Sequence, residues 1–438
     1  MSKRKKLLVL PALLLAVMLT AAFVGKRAYV NAESEPYEGL KTFTEVLTVI
    51  KRSYVETTDT KTLIYGAIRG MLGSLDPHSA FLTTEDYKDM QIETKGEFGG
   101  IGIQIGIKDG VLTVISPIED TPAWKAGIKA GDRILKVNGE PTKKMTLHEA
   151  VSKMRGQKGT QVTITVMREG WEATQDFTLT RDIIKVKSVR WKALEGDVGY
   201  VRVLQFQEDT ADELSSALKK LDEEKIHSLI LDLRNNPGGL LQSAVDITSQ
   251  FLPEGKLVTY LKGRSADRTE YKTTGGYPGY PTVPMVVLVN QGSASASEIV
   301  AGALKDWGRA VILGNKTFGK GSVQSVIPLS DGSALRLTTA RYYTPKGTSI
   351  QSTGIIPDIE VKLEVKEGAK EHPVIREKDL ERHLENEKGE GPDKKSETEM
   401  PAEETAFMGE VEEEADTQLQ RAVDLLKTWH VFKEISDK

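Results

Sequence analysis

Apolar residues near the start of the chain recur at helical spacing. Intervals of three and four residues separate the members of this series, which are Leu40, Phe43, Val46, Leu47 and Ile50. Such spacing predicts an amphipathic helix. The pattern stays helical to about residue 90, with one turn signal at the Asp-Pro pair of residues 76–77. We therefore assign residues 33–97 to an N-terminal helical region.

Residues 183–363 show a second pattern, in which short runs rich in β-branched residues alternate with helical stretches. The predicted strands are residues 199–204, 228–233, 257–261, 285–289 and 310–313. The predicted helices are residues 210–221, 239–251 and 295–307. This alternation predicts an α/β fold of βαβ units around a mostly parallel sheet. The Asp-Gly pair at 331–332 predicts a hairpin turn, with residues 334–343 as its return strand.

Between these two regions, residues 98–182 have the pattern of a compact unit of strands with a helix at 147–154. The string GDRILKVNG at residues 131–139 resembles the signature of PDZ domains. PDZ domains bind extended C-termini by adding a strand to a sheet edge, and backbone N–H groups hold the carboxylate. The resemblance implies a peptide-binding run made of Gly99, Gly100, Ile101, Gly102 and Ile103. Arg155, just after the helix, is either a solvated cation or a sensor contact to the following domain.

The C-terminal part is acidic and then amphipathic. Residues 364–414 are rich in charge and poor in apolar side chains, which predicts a disordered linker. Residues 415–438 are predicted to form a helix with an apolar side made of Leu419, Ala422, Val423, Leu425, Leu426, Trp429 and Phe432. Such a helix needs a partner surface to be stable.

The N-terminus has the pattern of an export signal. Four basic residues at 3–6 precede an apolar run at 7–24, and residues 30–32 fit a cleavage site. A signal peptide over residues 1–32 is predicted, with retention of residues 7–24 as a membrane anchor as the alternative. Both readings place the remaining chain in the periplasm or another extracytoplasmic space. The chain has no cysteine, which excludes disulfides and thiol chemistry, and its net charge of −4 gives no indication of nucleic-acid binding.

Two segments of the α/β region carry candidate chemistry. The run SASAS at residues 293–297 lies where a strand enters a helix, so backbone N–H groups there favour negative charge. Its serines, Ser293, Ser295 and Ser297, either cap the helix or include a nucleophile. Downstream, TFGKG at residues 317–321 places a lysine between two glycines, ahead of another strand.

Together the two segments resemble the active site of the C-terminal processing peptidases, also called tail-specific proteases, which use a Ser–Lys dyad. The resemblance extends from about residue 37 to residue 361. It implies that Ser295 is the nucleophile, Lys320 the general base and Gln324 a residue that orients the lysine. It also implies a crotonase-like (ClpP-like) protease core with an inserted PDZ domain.

A lysine can act as a base only where its charged form is disfavoured. The ordinary pKa of about 10.4 keeps lysine protonated at neutral pH, and burial can lower that pKa by several units. Phe318 and Val323 would give Lys320 an apolar setting. Lys305 and Lys316 are the competing bases, and both are predicted to be exposed.

Acyl transfer also needs N–H donors for the oxyanion. The turn NPGG at residues 236–239 is either an ordinary loop or a source of such donors. The resemblance implies Gly239, preferred over Gly238, together with Ala296, the residue after the nucleophile. A histidine base is not predicted, because none of the six histidines has a setting that suggests one.

The sequence therefore predicts an exported serine endopeptidase that processes or degrades proteins from their C-termini. No cofactor and no metal are expected. The expected partners are protein substrates bound through their C-termini, an adaptor or activating peptide, and further copies of the chain in a homo-oligomer. Two alternatives stay open: a PDZ scaffold with an inactive peptidase core, and a crotonase-like hydratase, which would need a pocket for an acyl-CoA.

Overall fold

The N-terminal part of the structure consists of two helices. The structure, a computed structural model, describes residues 37–265, 267–277, 283–362, 375–387 and 416–436. The chain divides into two units, the first ending at Ser74 and the second beginning at Leu75. In the first unit, α1 covers residues 37–53 and α2 spans Thr60–Gly73. The Asp59 carboxylate accepts a hydrogen bond from Thr62 N (2.8 Å) and fixes the start of α2.

The second unit opens with short elements that lead into a separate module. They are β1 (Ala80–Leu82), α3 (Thr84–Lys95) and β2 (Glu97–Gly100). A capping box formed by Thr83 and Asp86 starts α3, and Gly96 ends it with a φ of +72°. β2 pairs antiparallel with β9 (Asp182–Lys185), so the entry and exit of the module lie side by side.

The module between β2 and β9 has its own sheet and core. Its strands are β3 (Ile103–Lys108), β4 (Val111–Pro117), β5 (Arg133–Val137), β6 (Glu140–Pro141), β7 (Gln161–Met167) and β8 (Gln175–Thr180). Its helices are α4 (Pro122–Lys125) and α5 (Leu147–Met154). The sheet order is β3-β4-β5-β7-β8, with β6 on β5, so β3 lies at an edge beside α5. Fully buried side chains, including Ile134, Ile164 and Val166, fill the core.

A mostly parallel sheet forms the centre of the second unit. Its strands, in sheet order, are β10 (Val189–Leu194), β11 (Val198–Val203), β12 (Ser228–Asp232), β15 (Met285–Val289), β16 (Val311–Gly314) and β19 (Ile359–Glu360). β10 is antiparallel to β11, and every later pair is parallel. All residues of β12 and β15 are buried, as expected for strands covered on both faces.

Helices cover both faces of this parallel sheet. One face packs against α6 (Thr210–Glu223), α7 (Leu241–Ser249) and α8 (Ala296–Asp306). The opposite face packs against α9 (Thr417–Ser436) through Leu419, Ala422 and Leu426. The parallel sheet is thus the partner surface that the amphipathic C-terminal helix requires. The prediction that Trp429 and Phe432 belong to the buried apolar side of this helix is wrong, because the two residues are 57% and 68% exposed.

A second, antiparallel sheet lies beside the first. It contains β1, β13 (Leu257–Gly263), β14 (Arg268–Lys272), β17 (Ser322–Pro328) and β18 (Ala334–Tyr343). The prediction that residues 257–261 continue the βαβ alternation is wrong, because β13 pairs antiparallel with β18. The predicted hairpin is present: β17 pairs with β18, and Gly332 adopts a φ of +84° in the turn.

The predicted linker contains a docked segment. Residues 375–387 lie inside the interval 364–414, yet they carry a 3-10 turn (Glu377–Asp379) and pack on the second unit, where Glu377 is buried. For these residues the prediction of disorder is wrong. The composition of the segment does not reveal that the carboxylate of Glu377 has hydrogen-bond partners in the buried part of the fold. The rest of that interval and the predicted signal peptide or anchor lie outside the described residues. Within the described part, no helix is long and apolar enough to cross a membrane.

Candidate active site

The turn from β15 into α8 contains the three candidate serines. Ser293 Oγ accepts a hydrogen bond from Asn290 N (3.0 Å) and donates one to Leu233 O (2.7 Å). Ser297 Oγ donates to Asn236 O (2.9 Å). These two hydroxyls hold the turn against the loop that follows β12, so their roles are structural. Ser295 remains as the candidate nucleophile.

Ser295 has an uncommon backbone conformation. Its φ is +54° and its ψ is −111°, immediately before the first residue of α8. A non-glycine residue in such a region costs on the order of 1–3 kcal/mol, and this kind of strain concentrates at functional sites. A sharp strand-to-helix turn of this kind presents the nucleophile in other serine hydrolases. Ser295 is only 9% exposed, so it is largely shielded from water.

A buried carboxylate joins the serine turn to the loop of residues 315–321, which we name the lysine loop. Oε2 of Glu298 accepts hydrogen bonds from both Ser295 N (2.8 Å) and Lys320 N (2.9 Å). Its Oε1 accepts from Thr317 Oγ1 (2.6 Å) and Gly319 N (2.8 Å). Burial raises the pKa of Glu298 to about 7, whereas these four donors favour its ionised form. The candidate nucleophile and the candidate base are therefore held by one side chain.

The lysine loop gives Lys320 the setting of a base. Burial lowers the pKa of Lys320, and the positive charge of Arg336 lowers it further. Three carboxylates oppose this effect, those of Glu377, Glu298 and Asp76. Because the net shift is downward, a larger fraction of the side chain is the neutral amine that a general base requires.

The Ser295 hydroxyl is not joined to the Lys320 amine by any hydrogen bond that the structure describes. Tyr342 of β18 interacts with the Ser295 side chain, and burial raises the pKa of Tyr342 to about 12. Tyr342 N also donates to Gly321 O (2.7 Å), which fastens β18 to the lysine loop. Catalytic hydrogen bonds are often long in free enzymes and shorten with substrate. Sequence reasoning missed Tyr342, because nothing local marks this position on a hairpin strand.

The two competing lysines have different surroundings. Lys305, on α8, donates to Ile356 O (2.6 Å) and pairs with Asp358 (2.9 Å) at the surface. Lys305 and Lys316 are both half-buried, which corrects the prediction that they are exposed. Lys320 differs from the other two lysines in one described contact. Its backbone N donates to Glu298 Oε2, the same oxygen that accepts from Ser295 N.

The loop after β12 brings Gly238 against the serine turn, and the next residue, Gly239, lies against Phe206. A Cβ on Gly238 would lie 2.9 Å from Ser295 Cβ, so no larger residue fits there. Gly238 N donates to Asn236 Oδ1 (2.9 Å), whereas neither Gly239 N nor Ala296 N donates a hydrogen bond within the described structure. Gly239 N and Ala296 N are thus without an acceptor within the described structure, and their role as donors to an oxyanion stays a prediction.

Gln324 reaches the lysine only through other residues. It lies in β17, and its Nε2 donates to Ser322 Oγ (2.9 Å) and Thr338 Oγ1 (3.4 Å). Thr338 Oγ1 donates in turn to Asp76 Oδ1 (3.0 Å), one of the carboxylates that act on Lys320. The direct hydrogen bond that would orient the lysine is absent from the contacts that the structure describes.

The predicted peptide-binding run spreads over three settings. Gly99 and Gly100 belong to β2 and pair with β9. Ile101 is 2% exposed and lies in the core of the module. Gly102 has a φ of +78°, and Ile103 begins the edge strand β3. Of this run, Ile103 alone lies on the strand to which a peptide could add, so the carboxylate-binding role stays a prediction.

Arg155 is not the solvated cation of one prediction. Its Nη1 donates to Asp89 Oδ1 of α3 (2.8 Å), and its guanidinium lies 4.9 Å from the centre of the Phe98 ring. α3 in turn contacts the α/β region, where Gln207 Nε2 donates to Glu93 O (3.2 Å). Arg155 therefore connects the module to α3, and the structure describes no direct contact between Arg155 and the candidate catalytic residues.

The described histidines lie away from the serine turn. His78 Nε2 is 2.7 Å from Glu377 Oε2, and His148 Nε2 is 2.9 Å from Glu85 Oε1. No described histidine contacts Ser295, and His372 lies outside the described residues. A strained serine before a helix, a half-buried lysine with a lowered pKa and two unengaged N–H donors together indicate acyl transfer, the chemistry of a serine peptidase.

Known families match this chain in three stretches. Residues 197–361 match peptidase family S41, and residues 113–168 match the PDZ domain. Residues 20–86 match the N-terminal domain of the activating protease CtpB. The chain is thus a serine peptidase with an S41 fold and a PDZ domain.

Individual relatives show to which group of serine peptidases the chain belongs. A carboxy-terminal-processing protease of Bartonella bacilliformis is 46% identical over 370 residues, which cover 82% of this chain and 85% of the relative. The carboxy-terminal processing protease CtpB of Bacillus subtilis is 36% identical over 76% of this chain and 70% of its own length. A solved photosystem II D1 C-terminal processing protease is 31% identical over 73% of this chain and 92% of that chain, with a TM-score of 0.43. The chain belongs to the carboxy-terminal processing proteases.

Proposed function

We propose that this chain is an exported endopeptidase that uses Ser295 and Lys320 as a catalytic dyad on a crotonase-like (ClpP-like) core. The observation that carries the proposal is the convergence of both residues on Glu298, at a place where burial lowers the pKa of the lysine. Export is supported by the basic and apolar segments of residues 3–24.

The proposed reaction has two halves. Ser295 Oγ attacks the scissile carbonyl and passes its proton to the neutral Nζ of Lys320, while Gly239 N and Ala296 N donate to the oxyanion. The resulting ammonium gives this proton to the leaving amine, and the C–N bond breaks to leave an acyl-enzyme. Water then attacks the ester carbonyl and gives a proton to Lys320. The bond between the acyl carbon and Ser295 Oγ breaks, the new C-terminal carboxyl product leaves, and Lys320 returns the proton to Ser295 Oγ.

The PDZ domain is proposed to read substrate C-termini at the edge strand β3, which lies beside α5. A series of contacts connects this domain to the loop that carries Gly238 and Gly239. Arg155 binds Asp89 on α3, and Glu93 of α3 accepts a hydrogen bond from Gln205 Nε2 (3.0 Å). The next residue, Phe206, donates from its N to Gly238 O (2.9 Å). This route supports a second proposal, that an occupied PDZ domain or a bound adaptor peptide shifts the catalytic geometry.

Three alanine variants, at Ser295, Lys320 and Lys305, test the dyad. We expect Ser295→Ala and Lys320→Ala to lose peptide hydrolysis and covalent labelling by a fluorophosphonate, while Lys305→Ala, a surface lysine on α8, keeps both. In the native protein the labelling rate should rise with pH and level off below about 10.4, the ordinary pKa of lysine, because the neutral amine is the active form. Near-native labelling of Lys320→Ala would exclude this lysine as the base.

The inactive-scaffold alternative predicts no labelling of Ser295 at any pH. A hydratase would need a site for an acyl-CoA, and no feature of the described residues indicates one. Association into a homo-oligomer and an adaptor are further proposals, which analytical ultracentrifugation and co-purification from the envelope fraction would test.

A further inference from the structure

Residues 375–387, which we name the strap, dock beside the lysine loop. Glu377 begins its 3-10 turn, and the side chain of this residue is only 1% exposed. A buried carboxylate is costly unless several partners compensate it. The reaction proposed above gives Glu377 no part, so its burial calls for another explanation.

The partners of Glu377 come from three separate segments. Its Oε2 lies 2.7 Å from Nε2 of His78, in the loop before β1. Its Oε1 accepts from Gln351 Nε2 (2.9 Å), and its backbone N donates to Phe318 O (3.2 Å) in the lysine loop. One strap residue thus ties the lysine loop to two other parts of the core.

Gln351 completes the connection on the far side of Lys320. Its Oε1 accepts from Gly321 N (3.0 Å), and its Nε2 donates to Leu384 O of the strap (2.9 Å) as well as to Glu377. The residues before and after the central Gly-Lys pair are therefore held from the strap side, through Phe318 O and Gly321 N. The pair itself is held by Glu298 from the side of α8.

The charges that act on Lys320 come from four segments, which are β18, the strap, α8 and the loop before β1. Arg336 of β18 lowers the pKa of Lys320, in addition to the larger effect of burial. Glu377 of the strap, Glu298 of α8 and Asp76 of the loop before β1 raise it. Oε2 of Glu377 itself lies 2.7 Å from Nε2 of His78.

We propose that the strap positions the catalytic lysine and that Glu377 is the positioning residue, acting on Lys320 through Phe318 and Gln351. The proposal rests on the dyad proposed above. A strap that only adds stability would leave the chemistry of each folded molecule unchanged, whereas a positioning strap changes turnover and its dependence on pH.

Glu377→Gln tests the charge, because the amide has nearly the same shape and can still accept from Gln351. Without this carboxylate the lysine loses a group that favours its ammonium form. We expect the acidic limb of the pH profile of kcat/KM to move to lower pH by roughly half a unit or more. Glu377→Ala also removes the side-chain hydrogen bonds to His78 and Gln351, while the backbone bond to Phe318 O remains. We expect kcat to fall about tenfold with little change in KM.

Glu381→Gln, an exposed glutamate of the same strap, is the matched control and should behave as native. The full-length chain is used throughout, and active sites are counted by fluorophosphonate labelling, so that rates refer to folded enzyme. A native pH profile and native kcat in Glu377→Gln would overturn the proposal, whether or not the melting temperature falls. Failure of the dyad is recognised separately, by activity that persists in Lys320→Ala.

Discussion

At the scale of single residues, the site depends on buried polar groups with many partners. Glu298 is the clearest case, because it is fully buried and accepts hydrogen bonds from the serine turn and from the lysine loop. Both oxygens act only as acceptors, which suits a carboxylate and not an amide. The relative position of Ser295 and Lys320 therefore depends on the charge state of this one residue.

We predict that Glu298→Gln lowers kcat/KM markedly, although the amide has nearly the same shape as the carboxylate. An amide turns its NH₂ group toward backbone donors, and the loss of a charge-assisted hydrogen bond costs about 1.5–3 kcal/mol. On this basis kcat/KM for a peptide substrate should fall roughly tenfold to a hundredfold, and the melting temperature should fall as well. Glu223→Gln, at an exposed position on α6, is the control. Native kinetics in Glu298→Gln would show that the carboxylate does not set the geometry.

At the scale of elements, α9 is fastened to the parallel sheet by an ion pair as well as by apolar contacts. Asp416, just before the helix, accepts from Arg234 Nη1 (2.8 Å) and Nη2 (2.7 Å), and also caps the helix at Leu419 N (3.0 Å). Arg234 is bound in addition by Asp232, at the end of β12. Because Arg234 lies near the start of the loop that carries Gly238 and Gly239, this loop and the C-terminal helix share one anchor.

We predict that Asp416→Asn lowers the free energy of unfolding by up to about 3 kcal/mol at neutral pH. This loss is at the low end of the free-energy cost of breaking a buried ion pair, because Asp232 still neutralises Arg234. Burial opposes ionisation of Asp416, but the hydrogen bonds and charge of Arg234 hold the pKa of Asp416 below its ordinary value. A group with a depressed pKa stabilises the fold above its unfolded pKa and loses this effect as the pH falls.

The stability difference between native protein and Asp416→Asn should therefore narrow as the solution is acidified below about pH 4. Urea denaturation at neutral and acidic pH measures this difference. Asp424→Asn, at an exposed position on the same helix, should leave stability within about 0.5 kcal/mol of native. An equal effect of the two substitutions would mean that the pair with Arg234 contributes nothing specific.

At the scale of the whole molecule, the PDZ domain is connected to the protease core through α3. Arg155 sits at this connection, with a hydrogen bond to Asp89 and a ring contact to Phe98. The pair is partly exposed, since the side chains of Arg155 and Asp89 are 32% and 41% accessible, so its own contribution to stability is small. A role in communication is thus easier to separate from folding here than at a buried site.

We predict that a short C-terminal peptide, added in trans, accelerates cleavage of an unrelated substrate. Arg155→Ala should reduce this gain severalfold without changing the affinity of the peptide, and Lys153→Ala on the same helix is the control. Steady-state rates at peptide concentrations shown by calorimetry to occupy the PDZ domain provide the measurement. If the PDZ domain only tethers substrate, the peptide will compete, and inhibition will be seen instead.

The sequence by itself determined the elements and the chemistry. β-branched runs between helical stretches predicted the α/β alternation, because strand and helix periodicities are local properties of the chain. The two Gly- and Ser-rich motifs contain Ser295 and Lys320, and family resemblance identified them because such motifs are contiguous. For the same reason the Asp-Gly turn and the helix at residues 147–154 were predictable in place.

Only the tertiary structure decided which distant residues meet. β13 joined the second sheet because strand pairing is chosen by partners far along the chain. Tyr342, Glu377 and Gln351 reach the site from a hairpin strand, an acidic segment and a loop, and none of these has a local pattern for such a role. The acidic composition of residues 375–387 predicted disorder, since composition reports average solvation and not the few buried hydrogen bonds that hold a segment in place.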